Sequence, residues 1–275
     1  MALPDSVENS LHHLGFQRFL PSNKLSSIIH SYWFIDNDIT VSTEHLHPDG
    51  GFGIILNYSD ALELDGNLIN DTCFLDGTNT TTRRVRFKGE LKAIGIRFKP
   101  AGASLFFSSP LSEIKNQSIS LADTTFIQYS DLYSKLEKST TLYEKVLIIE
   151  EWLSRAAQTE RKASNIINQS LTLIRRHNGL LPIQSIAELA GCHQRKLERL
   201  FNLQIGMTPK EYSQNLRIEQ ARKTIKSVAD SSFAMIAEEL GYFDQAHFNK
   251  QFKKIEGMTP REYLLKFISR KQERC

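Results

Sequence analysis

The C-terminal half of the 275-residue chain contains two partial copies of one sequence pattern. Residues 206–212 (GMTPKEY) recur as residues 257–263 (GMTPREY), and Phe201 and Phe252 precede them at the same distance. Upstream, residues 186–191 match residues 236–241, but the offset there is shorter by one, so the second copy has one extra residue in its turn. A repeat of this length implies that one supersecondary unit folds twice.

Each copy predicts two helices joined by a glycine turn. The first copy has a short helix that ends at Gly191, because glycine adopts the left-handed conformation of a tight turn. A second helix over residues 194–203 would bury Leu197, Leu200 and Phe201. This order is typical of a helix-turn-helix unit, whose second helix enters the major groove of DNA.

A second repeated device follows each unit. Thr208-Pro209 is followed by Glu211, and Thr259-Pro260 is followed by Glu262. Threonine caps a helix, proline fits its first turn, and the glutamate closes a capping box. A further helix is therefore predicted to start after each helix-turn-helix unit.

The outward faces of the second helices favour DNA over a purely structural repeat that binds another protein. Burying the apolar side chains of the first unit turns Arg195, Arg199 and Asn202 outward. In the second copy, burying Phe248 and Phe252 exposes lysine, alanine and glutamine side chains. Arginine matches the acceptors of guanine, glutamine matches adenine, and alanine contacts the methyl group of thymine.

The charge of the chain divides in the same way. Residues 161–275 hold 20 Lys and Arg against 11 Asp and Glu, a net charge of +9. Residues 1–160 hold 14 against 20, a net charge of −6. This asymmetry indicates a nucleic-acid-binding module joined to an ordinary acidic domain.

At these motifs the sequence resembles the AraC/XylS family of bacterial transcription regulators, over roughly residues 165–267. The resemblance implies a seven-helix domain whose two recognition helices enter successive major grooves about one helical turn (~34 Å) apart. Two departures stand out: His193 replaces the usual serine N-cap, and the connecting helix carries polar residues at positions 212–215. The predicted DNA-binding residues are Arg195, Lys196, Arg199, Asn202, Gln245, Ala246, His247, Lys250 and Lys253.

The N-terminal half predicts a β-rich domain. Short β-branched or aromatic segments at residues 31–35, 53–58, 85–88 and 91–98 alternate with turn formers such as Asp65-Gly66-Asn67 and Lys88-Gly89. Helices are predicted over residues 121–136 and 142–157, the second packing on the β domain or pairing with its copy in a dimer. The polar stretch 158–164 is the predicted domain boundary.

The chain is therefore predicted to be α+β. Residues 1–160 form a barrel- or sandwich-like β domain with trailing helices, and residues 161–275 form an all-α domain with two helix-turn-helix units. The N-terminal half also resembles, through residues 32–34, 48–51 and 94–102, a sensor domain found on some AraC-type regulators.

Several N-terminal side chains are candidates for binding a small-molecule effector. His45 and His47 form a His-x-His pair, which on a strand can present two imidazoles on one face, as in metal-binding cupin barrels. Pro48-Asp49-Gly50 also makes an ordinary turn, which explains Asp49 without a metal. Arg97 can clamp a carboxylate or pair with an acidic neighbour. The predicted effector-binding residues are Trp33, His45, His47, Asp49, Phe52 and Arg97, and no catalytic, cofactor or metal site is assigned.

The remaining features bound the class of protein. Cys73, Cys192 and Cys275 are far apart and odd in number, which favours free thiols in a reducing cytoplasm. No apolar run is long enough to span a membrane, and the first 16 residues do not resemble a signal peptide. The expectation is a cytoplasmic, non-enzymatic DNA-binding regulator with an unidentified effector, with RNA polymerase and a second copy of the chain as further candidate partners. The alternatives are a regulator whose N-terminal domain is only a scaffold, and a metal-dependent cupin-like enzyme tethered to DNA.

Overall fold

A computed structural model describes residues 15–59, 62–107, 109–124, 130–156, 164–227 and 232–272. Two features discussed above lie outside these ranges: Cys275, and the predicted domain boundary at residues 158–164 apart from Ser164. The first 14 residues also lie outside them.

The N-terminal part is built on one antiparallel sheet. Its hydrogen-bonded path runs β1-β2-β7-β3-β6-β8, and β4 and β5 form a hairpin attached to β7. Among the described residues the path is open. The strands are β1 (Gln17–Phe19), β2 (Ile29–Leu46), β3 (Phe52–Asn57), β4 (Leu62–Leu64), β5 (Asn67–Ile69), β6 (Cys73–Asp76), β7 (Arg83–Phe98) and β8 (Ser118–Ser120).

The long β2–β7 pair corrects one prediction. Lys88-Gly89 does not make a turn, because β7 continues through it as a single 16-residue strand. Gly89 has φ of 90° and lies opposite Ile39, where the register of β2 shifts. A glycine at positive φ accommodates such a β-bulge, so the residue bends the strand without ending it.

Two helices follow the sheet: α1 (Ser130–Lys138) and α2 (Leu142–Ala156). The predicted start of the first helix at residue 121 is wrong, because Leu121–Asp123 is a short 3-10 turn that ends in an extended Thr124. The helix predicted over residues 142–157 is confirmed for Leu142–Ala156. Its buried residues Val146, Ile149 and Leu153 belong to the same core as the inner face of the sheet, so α2 packs on the β domain.

The C-terminal part contains seven helices among its described residues, the number that the family resemblance implies. They are α3 (Asn165–Arg176), α4 (Ile183–Leu189), α5 (Gln194–Gln204), α6 (Pro209–Ser227), α7 (Phe233–Glu239), α8 (Gln245–Glu256) and α9 (Pro260–Gln272). A β-rich N-terminal part and an all-helical C-terminal part confirm the α+β prediction.

The helices of the C-terminal part surround two separate hydrophobic cores. The first contains Leu197 and Phe201 of α5, and the second contains Phe248 and Phe252 of α8. The connecting helix α6 contributes to both, with Tyr212 in the first core and Ile218, Ala221 and Ile225 in the second. It is therefore the shared element of the two units.

Candidate nucleic-acid interface

The two helix-turn-helix units have the same turn. In the first, Gly191 has φ of 71°, and the backbone N–H of Cys192 donates to the carbonyl of Ala187 at 2.9 Å. In the second, Gly241 has φ of 67°, and Tyr242 donates to Ala237 at the same distance. Both turns close a helix end in the way that favours glycine. Helix α5 begins three residues after its glycine and α8 four residues after, so the extra residue lies in the second turn.

Helix α5 is the first candidate recognition helix. Leu197 and Phe201 are fully buried and Leu200 is half-buried, as the helical spacing predicts. The outward face exposes Arg195, Lys196 and Arg199, whereas Asn202 is half-buried. His193 occupies the N-cap position, but its side chain accepts no capping hydrogen bond.

Helix α8 is the second candidate recognition helix, and its start is better fixed. Asp244 is the N-cap, and its Oδ1 accepts a hydrogen bond from the backbone N–H of His247 at 2.7 Å. Phe248 and Phe252 are fully buried. The predicted DNA-binding residues of this helix, which are Gln245, Ala246, His247, Lys250 and Lys253, are all exposed.

Capping boxes start the helices that follow each unit. The backbone N–H of Thr208 donates to Glu211 at 2.8 Å, and the N–H of Glu211 donates back to the Thr208 hydroxyl at 3.2 Å. Thr259 and Glu262 repeat this exchange at 2.6 and 3.3 Å. The hydrogen bonds that the backbone N–H and hydroxyl of Thr259 donate to the Glu262 carboxylate lower its pKa, because they favour its charged form. Both predicted capping boxes are confirmed by these hydrogen bonds.

Basic side chains in the last turns of α3 and α8 add exposed positive charge to the C-terminal part. Lys253 and Lys254 are exposed in the last turn of α8, where positive charge also complements the helix dipole. Arg176 is exposed at the end of α3, and Arg175 beside it donates from Nε to the hydroxyl of Tyr212 at 3.1 Å. One donor of Arg175 is therefore committed inside the protein.

Asp49 and Arg97, two of the predicted effector-binding residues, form an ion pair. The guanidinium of Arg97 donates from Nε to Asp49 at 3.0 Å and lies 3.9 Å from Asp76. Asp76 is buried and also pairs with Arg83 at 3.0 Å. Of the alternatives for Arg97, the structure therefore shows pairing with acidic neighbours.

The aromatic members of the predicted effector site lie in different cores. Phe52 is fully buried in the main core and packs against the rings of Phe98 and Phe107. Trp33 is half-buried in a small cluster with Ile35 and Leu91. Phe52 and Trp33 therefore lie in two different hydrophobic clusters of the N-terminal domain.

His45 and His47 both contact the C-terminal part of the chain. Nε2 of His45 lies 3.2 Å from Nζ of Lys266, and Nδ1 of His47 lies 2.7 Å from Glu256. Within the described residues, no three His, Cys, Asp or Glu side chains are grouped as a metal ion would require. β2 ends at Leu46, so His45 lies on the strand and His47 follows it. The partners of both imidazoles in the C-terminal part were not expected from the sequence.

Glu256 is the functional candidate that sequence reasoning missed. It ends α8 and is 2% exposed, and its carboxylate accepts from Arg222 of α6 at 2.6 Å as well as from His47 and Thr82. Although burial opposes its charge, these partners lower the pKa of Glu256 to about 2. The signal available in the sequence was a glutamate at the end of a basic helix. Once buried, such a carboxylate needs charged or hydrogen-bonding partners.

Two family models match separate parts of the chain. Residues 186–266 match a helix-turn-helix domain, and residues 17–120 match a domain of unknown function, DUF6597. The helix-turn-helix match spans both of the units described above. The C-terminal domain is an AraC-type helix-turn-helix domain.

Relatives with similar sequences carry names of transcription regulators. The activator RhaR of Mannheimia succiniciproducens is 29% identical over 208 residues, which are 66% of this chain and 71% of RhaR. An uncharacterized regulator of Bacillus subtilis, YisR, is 38% identical over 79 residues, which are 29% of this chain and 27% of YisR. The arabinose operon regulatory protein of Salmonella typhimurium is 26% identical over 137 residues, 50% of this chain and 47% of that protein.

Solved structures give weaker likenesses. ToxT from Vibrio cholerae is 12% identical, with 83% of this chain and 98% of ToxT covered and a TM-score of 0.46. A regulator with an AraC-type DNA-binding domain from Chromobacterium violaceum is 26% identical, with 37% and 91% covered and a TM-score of 0.35.

Other features of the chain bear on its class. None of the helices among the described residues is long and apolar enough to cross a membrane. Cys73 and Cys192 are free thiols, and burial raises the pKa of Cys73 to about 12. A buried thiol with so high a pKa is unreactive at neutral pH.

Proposed function

We propose that this protein is a sequence-specific DNA-binding transcription regulator that reads DNA with α5 and α8. The proposal rests on one observation: both helix-turn-helix units expose side chains that can read base edges. Two units with the same glycine turn and the same buried aromatic anchor each leave a basic or amide-bearing face exposed. The names of the relatives support the same function.

The two faces have different chemistry. Arg195 and Arg199 on α5 suit bidentate hydrogen bonds to guanine, whereas Gln245 and Ala246 on α8 suit adenine and the thymine methyl group. Lys250 adds a positive charge at the centre of the α8 face. The remaining basic residues supply phosphate attraction, which sets affinity and orientation more than sequence preference.

The experiment is selection of binding sites by the full chain from random duplex DNA, followed by titration of Arg199→Ala. Loss of a good bidentate contact costs ~1–3 kcal/mol of discrimination, so the variant should bind selected and random DNA more nearly alike. Arg261→Ala is the matched control, because Arg261 is an exposed arginine of the same domain outside both predicted faces. An unchanged ratio for Arg199→Ala would refute its assignment, and failure of the wild type to select any site would refute the function.

A finer proposal concerns control by a small-molecule effector in the N-terminal domain. The β-rich domain and its trailing helices form a large core of their own, and residues 17–120 match a domain of unknown function. A ligand that binds only the folded protein raises its melting temperature, so a thermal-shift screen of metabolites tests the idea. If no metabolite in a broad set shifted the melting temperature, a scaffold or dimerisation role would be favoured. Light scattering of the full chain would then show whether it dimerises.

A further inference from the structure

The N-terminal domain contacts both helix-turn-helix units and the helix between them. The contact is made by residues 45–51, by residues 78–82, by Ala101, and by the 3-10 turn Leu111–Ile114 with Lys115. On the other side lie the ends of α5 and α8, one face of α6, and Tyr263 and Lys266 of α9. We call this set of contacts the interdomain contact.

The second unit is held through the last turn of its recognition helix. The Thr82 hydroxyl donates to Glu256 at 3.0 Å, and its backbone N–H donates to the carbonyl of Ile255 at 2.6 Å. Nδ1 of His47 lies 2.7 Å from the same carboxylate, and its ring packs edge-on against Tyr263. The carboxylate also accepts from Arg222, so it joins α6, α8 and the N-terminal domain at one point.

The first unit is held through the end of its own recognition helix. Gly206 follows α5 so closely against the N-terminal domain that a Cβ there would lie 2.5 Å from the Thr78 hydroxyl. Ala101 packs within the first core of the C-terminal domain. Nζ of Lys115 pairs with Glu211, the capping residue of α6, at 3.1 Å.

The middle of the contact lies on α6. Nδ2 of Asn215 donates to the carbonyl of Asn79 at 3.1 Å, and both residues are buried. Three further buried polar atoms, the hydroxyls of Thr78 and Ser213 and Oδ1 of Asn79, have no hydrogen-bond partner among the described residues. Burial of unpaired polar groups opposes docking, so the interdomain contact depends on the hydrogen bonds that it does make.

We propose that the N-terminal domain is a brace that fixes the distance and angle between the two recognition helices, with Thr82 and His47 as its positioning residues. Within the C-terminal domain the two units have separate cores, and α6 is the helix that both share. A single helix permits bending and twisting, whereas a second body that touches both units removes that freedom. The exposed faces of α5 and α8 remain open while the brace is docked.

This inference rests on the proposed function, because the property that the brace controls is the spacing between two half-sites. One inserted base pair moves the second half-site by ~3.4 Å and rotates it by roughly 35°. A rigid pair of recognition helices tolerates such a shift poorly. A loosened pair tolerates it, although each half-site is still read by the same side chains.

The test uses the full chain and DNA selected from a random pool, rebuilt with zero to three base pairs inserted between the half-sites. Wild type should prefer one spacing by roughly tenfold, since such coupling is typically of that order. Thr82→Val, which removes the hydroxyl, should reduce that preference to less than about threefold without changing the bases preferred within each half-site. Thr82→Ser, which keeps the hydroxyl, should restore it, and His47→Asn, which keeps a donor near the Nδ1 position, should retain most of it.

Thr72→Val is the matched control, because Thr72 is exposed at the far end of β6 from Asp76 and its side chain makes no part of the interdomain contact. If the melting curve shows that Thr82→Val does not fold, Lys115→Met is tested instead. It loosens the other unit and must reduce the spacing preference to the same extent. A spacing preference equal to that of wild type in a folded variant with the same affinity overturns the brace. Absence of any site-specific binding by wild type overturns the proposed function and the brace together.

Discussion

The two helix-turn-helix units share one plan but differ at the start of their recognition helices and in how the rest of the chain holds them. Helix α8 begins at a capping aspartate, whereas α5 begins at His193 without a side-chain cap. The second unit is attached to the N-terminal domain through hydrogen bonds to Glu256, whereas the first is attached through close packing and an ion pair. The two copies of the duplicated unit therefore differ in how they contact the N-terminal domain. The second is held by directional hydrogen bonds, and the first mainly by close packing.

The largest expected effect tests what the units have in common. Phe201 and Phe252 are both fully buried, so Phe201→Ala and Phe252→Ala should each lower the free energy of unfolding by ~3–5 kcal/mol. Urea denaturation of the full chain, followed by circular dichroism, measures the change. Leu203→Ala is the control, because Leu203 is 36% exposed on α5 and its truncation should cost far less. A loss at either phenylalanine no larger than the loss at Leu203 would show that this phenylalanine does not anchor its unit.

An intermediate effect tests the difference between the helix starts. Asp244→Ala should destabilise the protein by about 1 kcal/mol, because it removes the hydrogen bond to the N–H of His247. His193→Asp should stabilise it by a similar amount, because it supplies a cap where the side chain now makes none. Thermal unfolding compares both with Glu239→Ala, an exposed acidic residue of α7. A loss at His193→Asp would contradict the assignment of residue 193 as the uncapped N-cap.

The smallest effect is the pH dependence that His47 contributes where the N-terminal domain meets the second unit. Burial lowers the pKa of His47, assisted by Arg222 and Lys226, although the hydrogen bond with Glu256 opposes the shift. The neutral imidazole is therefore the form favoured in the docked protein. Its contribution to stability is present above the ordinary histidine pKa of ~6.5 and is lost as the pH falls through and below that value.

The measurement is the melting temperature of wild type and His47→Asn between pH 8 and pH 5.5. Wild type should lose more stability on acidification than the variant, because asparagine does not titrate. His177→Asn is the control, because His177 is exposed after α3 and lies outside the interdomain contact. A gap between wild type and His47→Asn that stays constant or widens on acidification would show that His47 is not held neutral at the interdomain contact.

Much of the C-terminal domain could be predicted from the sequence because its contacts are local. The glycine turns, the capping boxes and the buried faces of α5 and α8 all depend on residues within a few positions of one another. The predicted exposure of the recognition faces follows from helical spacing alone. Asn202 is the exception, since it is half-buried rather than exposed.

The interdomain contact could not be predicted, because its partners lie far apart in sequence. Thr82 and Glu256 are 174 residues apart, and Asn79 and Asn215 are 136 residues apart. The departure noted in the connecting helix, the polar residues at positions 212–215, includes Asn215, which makes part of that contact. In the N-terminal domain, Gly89 bends one strand where a turn was predicted, because a glycine alone does not distinguish a bulge from a turn.

The most direct test of the account is a hydroxyl-radical footprint of the full chain on its selected DNA. The account predicts two protected windows on one face of the duplex, about one helical turn (~10 base pairs) apart. Arg199→Ala should weaken one window and Lys250→Ala the other. A single window, or windows on opposite faces of the duplex, would contradict the claim that α5 and α8 read DNA together.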